Sequence, residues 1–376
     1  MNAMLQNQYD SKVVQDLGDI DKPVPAERTM MQAIVQDKYG SSSVLELRSI
    51  DKPEIGVADV LVRVRAAGVH IGDLHVMTGQ PYLMRIVGFG LRAPKARVRG
   101  MDVAGTVEAV GSNVTQFQPG DDVYGTCDGA FAEYASARAD TLAPKPSNLT
   151  FEQAAAVPHG AITALQGLRD TGEIKPDQKV LIIGASGDVG MFAVQIAKWF
   201  GAEVTGVCST RKMDMVRSIG ADHVIDYSKQ DFIHTRSGKQ YDLILDTGGN
   251  RSLSQVRRAL TPTGTLVLVG GEGGDRWIGG GTWRSVRALA LSRFVSQRLR
   301  PVLARPNTND LVVLKQLIEA ARMMPIINRT YSLSETADAI RQLEEGRARG
   351  KVVITVSTAR ATTHMDDRPP AASRNG

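Results

Sequence analysis

The sequence predicts an α/β protein in which an antiparallel β-barrel or meander is followed by a doubly wound parallel sheet. Three observations predict it. Residues 31–146 carry short β-type runs separated by Gly, Pro and Asn turns. From Phe151 onward, strands alternate with helical patterns at βαβ spacing. Within that part VLIIGASGDVG, residues 180–190, sets an apolar strand, a glycine-rich turn and a helix in succession.

In chain order, residues 1–29 are polar, with acids at Asp10, Asp16, Asp19, Asp21 and Glu27. They read as a flexible extension without the character of a secretory or transit signal. The runs QAIVQ, DVLVRVRAAGV, VAGTVEAVG, DDVYG and GAFAEYA supply the barrel strands. Strands follow at 180–183, 203–207, 223–225, 242–245 and 265–269, with helices at 189–199, 212–219 and 253–260. A helix at 310–322 and a last strand at 351–356 close the ordered part. Residues 358–376, with two adjacent prolines, read as a disordered tail. A ligand cleft is expected between barrel and sheet, outside the carboxyl ends of the parallel strands.

Composition narrows the classes. The 376 residues are 42% hydrophobic and 23% charged, which suits a globular chain and excludes a disordered one. Two cysteines, Cys127 and Cys208, exclude a disulfide scaffold and a four-cysteine zinc module, and fit a reducing, cytoplasmic setting. No apolar run reaches the roughly 18 residues of a membrane helix. The net charge of +5 is segmental. Residues 74–101 hold no acid but Arg85, Arg92, Lys95, Arg97 and Arg99, and residues 276–309 hold no acid but seven arginines. Neither run has the basic-aromatic interleaving of a nucleic-acid module, so neither nucleic acid nor a membrane is an expected partner.

The glycine turn carries the chemistry. Aligned on Ala185, Gly187 and Gly190 it is a variant dinucleotide fingerprint. Gly187 lets backbone N–H groups approach a pyrophosphate, Gly190 permits close helix–strand packing, and the helix amino end attracts the anion. Asp188 is a misfit there, read as a helix cap. A binder of NAD usually places an acid at the end of the second strand; here Ser209, Arg211 and Lys212 stand there and suit a 2′-phosphate. The expected cofactor is NADPH.

Beyond that turn, GVHIGDLHVMTG (68–79), GMDVAGTVEAVG (100–111), PGDDVYG (119–125), AAAVPHGAITALQGL (154–168), GADHVIDY (220–227) and GKVVITV (350–356) occur in a fixed order. With them the chain resembles the medium-chain dehydrogenase/reductase superfamily over residues 31–357, and within it the zinc-free, quinone-oxidoreductase-like NADPH enzymes. The resemblance implies a GroES-like catalytic domain at 30–152 and 325–357 around a Rossmann NADP-binding domain at 153–324. It implies that Ser186, Gly187, Val189 and the neighbouring Asp188 and Gly190 meet the pyrophosphate. Ser209, Arg211 and Lys212 would then meet the 2′-phosphate, Tyr227 the adenosine, and Val269, Gly270 and Gly271 the nicotinamide amide. A homodimer through the Rossmann-sheet edge, at 265–269, is implied as well.

Zinc members of that family take Cys, His and Cys ligands where this sequence has His70, Met101 and His159. A thioether is a poor Zn²⁺ ligand, so no metal is expected; a His70–Asp102–His159 set is the alternative. In the zinc-free relatives an Asn and a Tyr approach the substrate, and His70 and Tyr82 fall at or next to those positions. Tyr82 or His70 is expected to donate a hydrogen bond to the substrate oxygen, with Asp73 orienting the loop. His159, Tyr82 and Trp277 are expected around the acceptor. The expected activity is zinc-independent, NADPH-dependent hydride transfer to a quinone, enone or similar carbonyl. A metal-dependent alcohol dehydrogenase and a non-catalytic NADPH sensor are the alternatives.

Overall fold

The computed structural model describes residues 29–233, 240–270, 277, 279–346 and 350–356. The expected extension at 1–29 (apart from its last residue), the tail at 358–376 and Gly271 lie outside the described residues.

β1 (Met30–Val35) and β2 (Glu46–Asp51) form an antiparallel pair. β3 (Asp59–Val69) is the long central strand of the first sheet. It buries Val60, Val62, Val64 and Ala66 while Arg63 and Arg65 face outward, the two-residue period of a strand with one wet face. Helix α1 (Ile71–Thr78) follows, then β4 (Asp102–Val110), β5 (Asp122–Thr126), β6 (Tyr134–Arg138) and β7 (Leu142–Pro144). The sequence pattern predicts no helix over α1, because its eight residues are too few for a clear helical period.

Helices α2 (Phe151–Ala155) and α3 (Pro158–Gln166) lead into the second sheet. There β8 (Lys179–Ile183), α4 (Asp188–Trp199), β9 (Glu203–Cys208), α5 (Met213–Ser218), β10 (His223–Asp226), β11 (Tyr241–Asp246), α6 (Leu253–Arg258), β12 (Leu260–Leu268), α7 (Gly280–Leu291) and β13 (Arg298–Pro301) succeed one another. All six strands are parallel, in the order β10-β9-β8-β11-β12-β13. The order reverses between β8 and β11, which is where such sheets bind ligands. β12, expected at the edge, is one strand inside it; the edge strand is β13.

α8 (Thr308–Glu319) follows. β14 (Ile327–Ser332), α9 (Thr336–Glu344) and β15 (Lys351–Thr355) bring the chain back, and β15 pairs with β3, so the first sheet runs β14-β15-β3-β4-β5-β7. One core, including Val180, Phe192, Leu165 and Leu311, covers one face of the parallel sheet and continues to Ala66, Ala104 and Tyr124 of the first sheet. A second core, around Leu181, Ile244 and Leu266, covers the other face. That double burial explains why these strands read as continuous apolar runs. Tyr124 donates its hydroxyl to the Leu311 carbonyl at 2.6 Å across the junction. No helix of the described residues is long and apolar enough to cross a membrane.

Candidate active site

The phosphate loop grows out of β8. Gly184 turns the chain at φ +80°, a conformation that favours glycine. At Gly190 a Cβ would stand 2.0 Å from the Gly184 carbonyl oxygen, so α4 can lie on β8 only with glycine there. Gly187 caps α4 without any side-chain bond to the first-turn amides. Those N–H groups and the helix dipole are left for an anion, with Ser186 buried alongside.

Asp188 does not cap the helix. It is the first helical residue, and its carboxylate turns to Lys351 on β15, Nζ–Oδ2 3.0 Å. Lys351 is 1% exposed and also meets Asp102 Oδ2 at 3.3 Å. Burial opposes its charge, but Asp188 and Asp102 outweigh burial and hold the ammonium above the usual lysine range.

At the end of β9 a single turn, Thr210–Lys212, starts from Ser209. Arg211 is exposed; Ser209 and Lys212 are half-buried. Thr210, which sequence reasoning passed over, donates its hydroxyl to Asp226 on the neighbouring β10. Asp226 also accepts from the Ser228 hydroxyl at 2.6 Å and amide at 3.0 Å; these bonds, that of Ser228 first, hold it below the usual carboxylate range. Tyr227 follows, exposed. Val269 and Gly270 leave the carboxyl end of β12.

Facing the loop is a pair of histidines. His70 caps α1: its Nδ1 accepts from Gly72 N–H at 3.0 Å, while its own N–H donates to Asp73 Oδ2 at 2.9 Å. An accepting Nδ1 assigns the proton of the neutral ring to Nε2. That Nε2 is buried and has no hydrogen-bond partner. The His70 ring stacks on His159, centroids 4.1 Å apart and planes within 2°. Burial first, then the His159 and Lys351 charges, depress the His70 basicity well below the usual imidazole value, so it is neutral near pH 7. His159, second residue of α3, donates its backbone N–H to Asp102 Oδ1 at 3.1 Å.

His70, Asp102 and His159 offer ligand atoms within 4.8 Å of one another. As placed they do not fit a Zn²⁺. A metal lies in the plane of each imidazole it binds, about 2.0–2.1 Å from nitrogen, and two stacked parallel rings share no such plane. His70 Nδ1 is taken by Gly72, and both Asp102 oxygens are engaged, by Lys351 and by His159.

Tyr82 lies on the loop after α1, edge-on to Trp277 with centroids 5.4 Å apart and under the Arg85 guanidinium at 4.6 Å. Among the described contacts none joins Tyr82 to either histidine. A cleft of about 240 Å³ opens beside Asp73 and Met101, lined also by Val76, Phe89 and Arg99. Arg99 is 5% exposed and its Nε has no hydrogen-bond partner; the sequence marks it only as one cation of the acid-free segment 74–101. Lys351 was missed likewise; its one signal, a lysine opening an apolar strand, is that of an ordinary strand end.

A family model described as alcohol dehydrogenase GroES-like domain matches residues 56–147, and one described as zinc-binding dehydrogenase matches residues 219–354. The mitochondrial NAD(P)H oxidoreductase RTN4IP1 of Bos taurus is 33% identical over 332 residues, covering 79% of this chain and 82% of its own length. A chloroplast envelope quinone oxidoreductase homolog of Arabidopsis thaliana is 30% identical across 67% of this chain and 78% of its own. The solved structure of the quinone oxidoreductase from Coxiella burnetii superposes with a TM-score of 0.77 at 30% identity, covering 88% of this chain and 100% of that one.

Proposed function

The chain belongs to the medium-chain dehydrogenase/reductase superfamily as a quinone-oxidoreductase-like, NAD(P)H-dependent oxidoreductase, and we propose that it uses NADPH, without zinc, to reduce a quinone, enone or similar carbonyl acceptor. When bound, the nicotinamide supplies the hydride. The observation that carries the acceptor reading is the buried Nε2–H of His70, which makes no hydrogen bond and has Asp73 Oδ2 3.8 Å away. It donates to the acceptor oxygen as negative charge develops there. Asp73 fixes the His70 backbone, and the His159 ring holds the imidazole flat. A quinone or enone delocalises the incoming charge, so its reduction needs no Lewis acid as strong as Zn²⁺ and a neutral donor can serve.

Ser186, Gly187, Val189 and Gly190 hold the pyrophosphate in this reading, and Val269 and Gly270 the nicotinamide amide. NADPH over NADH is supported by the hydroxyl and two cations at Ser209, Arg211 and Lys212, with Asp226 already occupied by Thr210 and Ser228. Tyr82 and Trp277 form the rim of the acceptor site. Two free cysteines suit a cytoplasmic setting, and the β13 edge suits a homodimer.

Oxidation of NADPH and of NADH over quinones, enones, aldehydes and alcohols tests the reading. Expected is a strong NADPH preference with quinones or enones as best acceptors. His70→Phe should lower kcat by about 10²-fold while leaving the KM for NADPH within about threefold. Equal use of NADH would overturn the cofactor choice, and an unchanged kcat in the variant would remove His70.

A further inference from the structure

An acid beside a pyrophosphate site calls for an explanation. Asp188 stands at the first turn of α4, where the free amides would receive an anionic dinucleotide, and its carboxylate adds like charge there. Oδ2 is bound by Lys351, while Oδ1 is buried without a partner. The backbone of Gly160 closes over it so tightly that a Cβ at that glycine would lie 2.2 Å from Oδ1. Gly160 directly follows His159. Lys351 in turn holds Asp102, and Asp102 holds the His159 amide. The chain of contacts therefore runs from the phosphate loop on one sheet, through a lysine on the other, to the stacked histidines.

We propose that Lys351 is a positioning residue with two arms: it neutralises Asp188 so that the phosphate loop can accept a dinucleotide, and through Asp102 it fixes the histidine pair. The inference rests on the dinucleotide and histidine-pair parts of the proposed function and is independent of which acceptor is reduced. Removing the lysine leaves two carboxylates uncompensated. One repels the pyrophosphate, and the other releases the amide of His159.

The two arms separate in a double-mutant cycle on the full chain, read by fluorescence titration of NADPH and NADH and by steady-state kinetics with the tighter of the two. Lys351→Met should weaken dinucleotide binding about tenfold or more and lower kcat as well. Adding Asp188→Asn to it should return Kd and KM to within about threefold of the parent but leave kcat low, because the Asp102 arm is still broken. Lys351→Arg should keep both near the parent. If the double variant binds as weakly as Lys351→Met, or regains kcat together with KM, the two-armed role is wrong. Asp188→Asn alone keeps the question answerable if Lys351→Met does not fold. It should tighten dinucleotide binding about threefold or more, since the lysine then faces the pyrophosphate with one acid fewer, and unchanged or weaker binding would overturn the proposal.

Discussion

Asp73 is 3% exposed, and burial pushes its carboxyl up to about 7, against a bond from His70 N–H that favours the charged form. The folded protein therefore holds this proton more tightly than the unfolded chain, whose carboxyl titrates near 3.8. Between those values the native state is protonated and the unfolded state is not, so stability falls as pH rises from about 4 to about 7 and is level above. The gap corresponds to about 4 kcal/mol. Asp73→Asn removes that slope: urea unfolding at pH 5 and pH 8 should show the variant gaining on the parent at the higher pH. An equal difference at both pH values would mean that Asp73 does not titrate there. At this scale the sequence was legible where a side chain sits in a recognisable run, as His70, Asp73 and His159 do. Lys351 was not legible. It meets Asp188 across 163 residues of chain, and nothing local distinguishes a buried lysine from a solvated one.

The glycine loop separates two roles that one motif merges. At Gly190 an added Cβ would strike the Gly184 carbonyl at 2.0 Å, whereas at Gly187 the nearest atom is that same oxygen at 3.3 Å. Gly190→Ala should force α4 off β8, lowering the melting temperature and cofactor affinity together. Gly187→Ala should leave the melting temperature within a few degrees and still weaken NADPH binding, because its methyl group occupies the pyrophosphate approach. Thermal melts with and without NADPH check both, and a Gly190→Ala variant as stable as the parent would refute the packing role. Most parallel strands were read within a residue or two, since burial on both faces leaves an unbroken apolar run. β13 escaped because Arg298-Leu299-Arg300-Pro301 has no such run. Its arginines are satisfied by Glu173 at 2.8 and 2.6 Å, a residue more than a hundred positions earlier.

Across the whole molecule, the two acid-free basic segments adjoin. Leu83 N–H donates to the Trp277 carbonyl at 2.9 Å, and Tyr82 packs on Trp277. The sequence shows that the excess charge is segmental, and the resemblance sets both segments near the cleft or the subunit contact; the fold joins them at Trp277. Exposed Ile86, Val87 and Leu91 lie in the first segment, and Trp283, Val286 and Phe294 in the second. Trp283 and Phe294 flank an outer groove between α6 and α7, away from the histidine pair. With β13 at the sheet edge, a dimer of twice the chain mass is expected in light scattering at micromolar concentration. A monomer throughout that range would contradict edge pairing.

The proposed hydride transfer without a metal sets a His70 donor, the Lys351-held Asp102 and the stacked imidazoles against a zinc site in the same volume. The most direct measurement is NADPH-dependent quinone reduction by protein stripped with a chelator, with residual zinc measured on the same sample. Expected is a kcat/KM equal to that of the untreated protein and unaffected by added Zn²⁺. Activity lost on stripping and restored by Zn²⁺ would contradict it and make His70, Asp102 and His159 metal ligands.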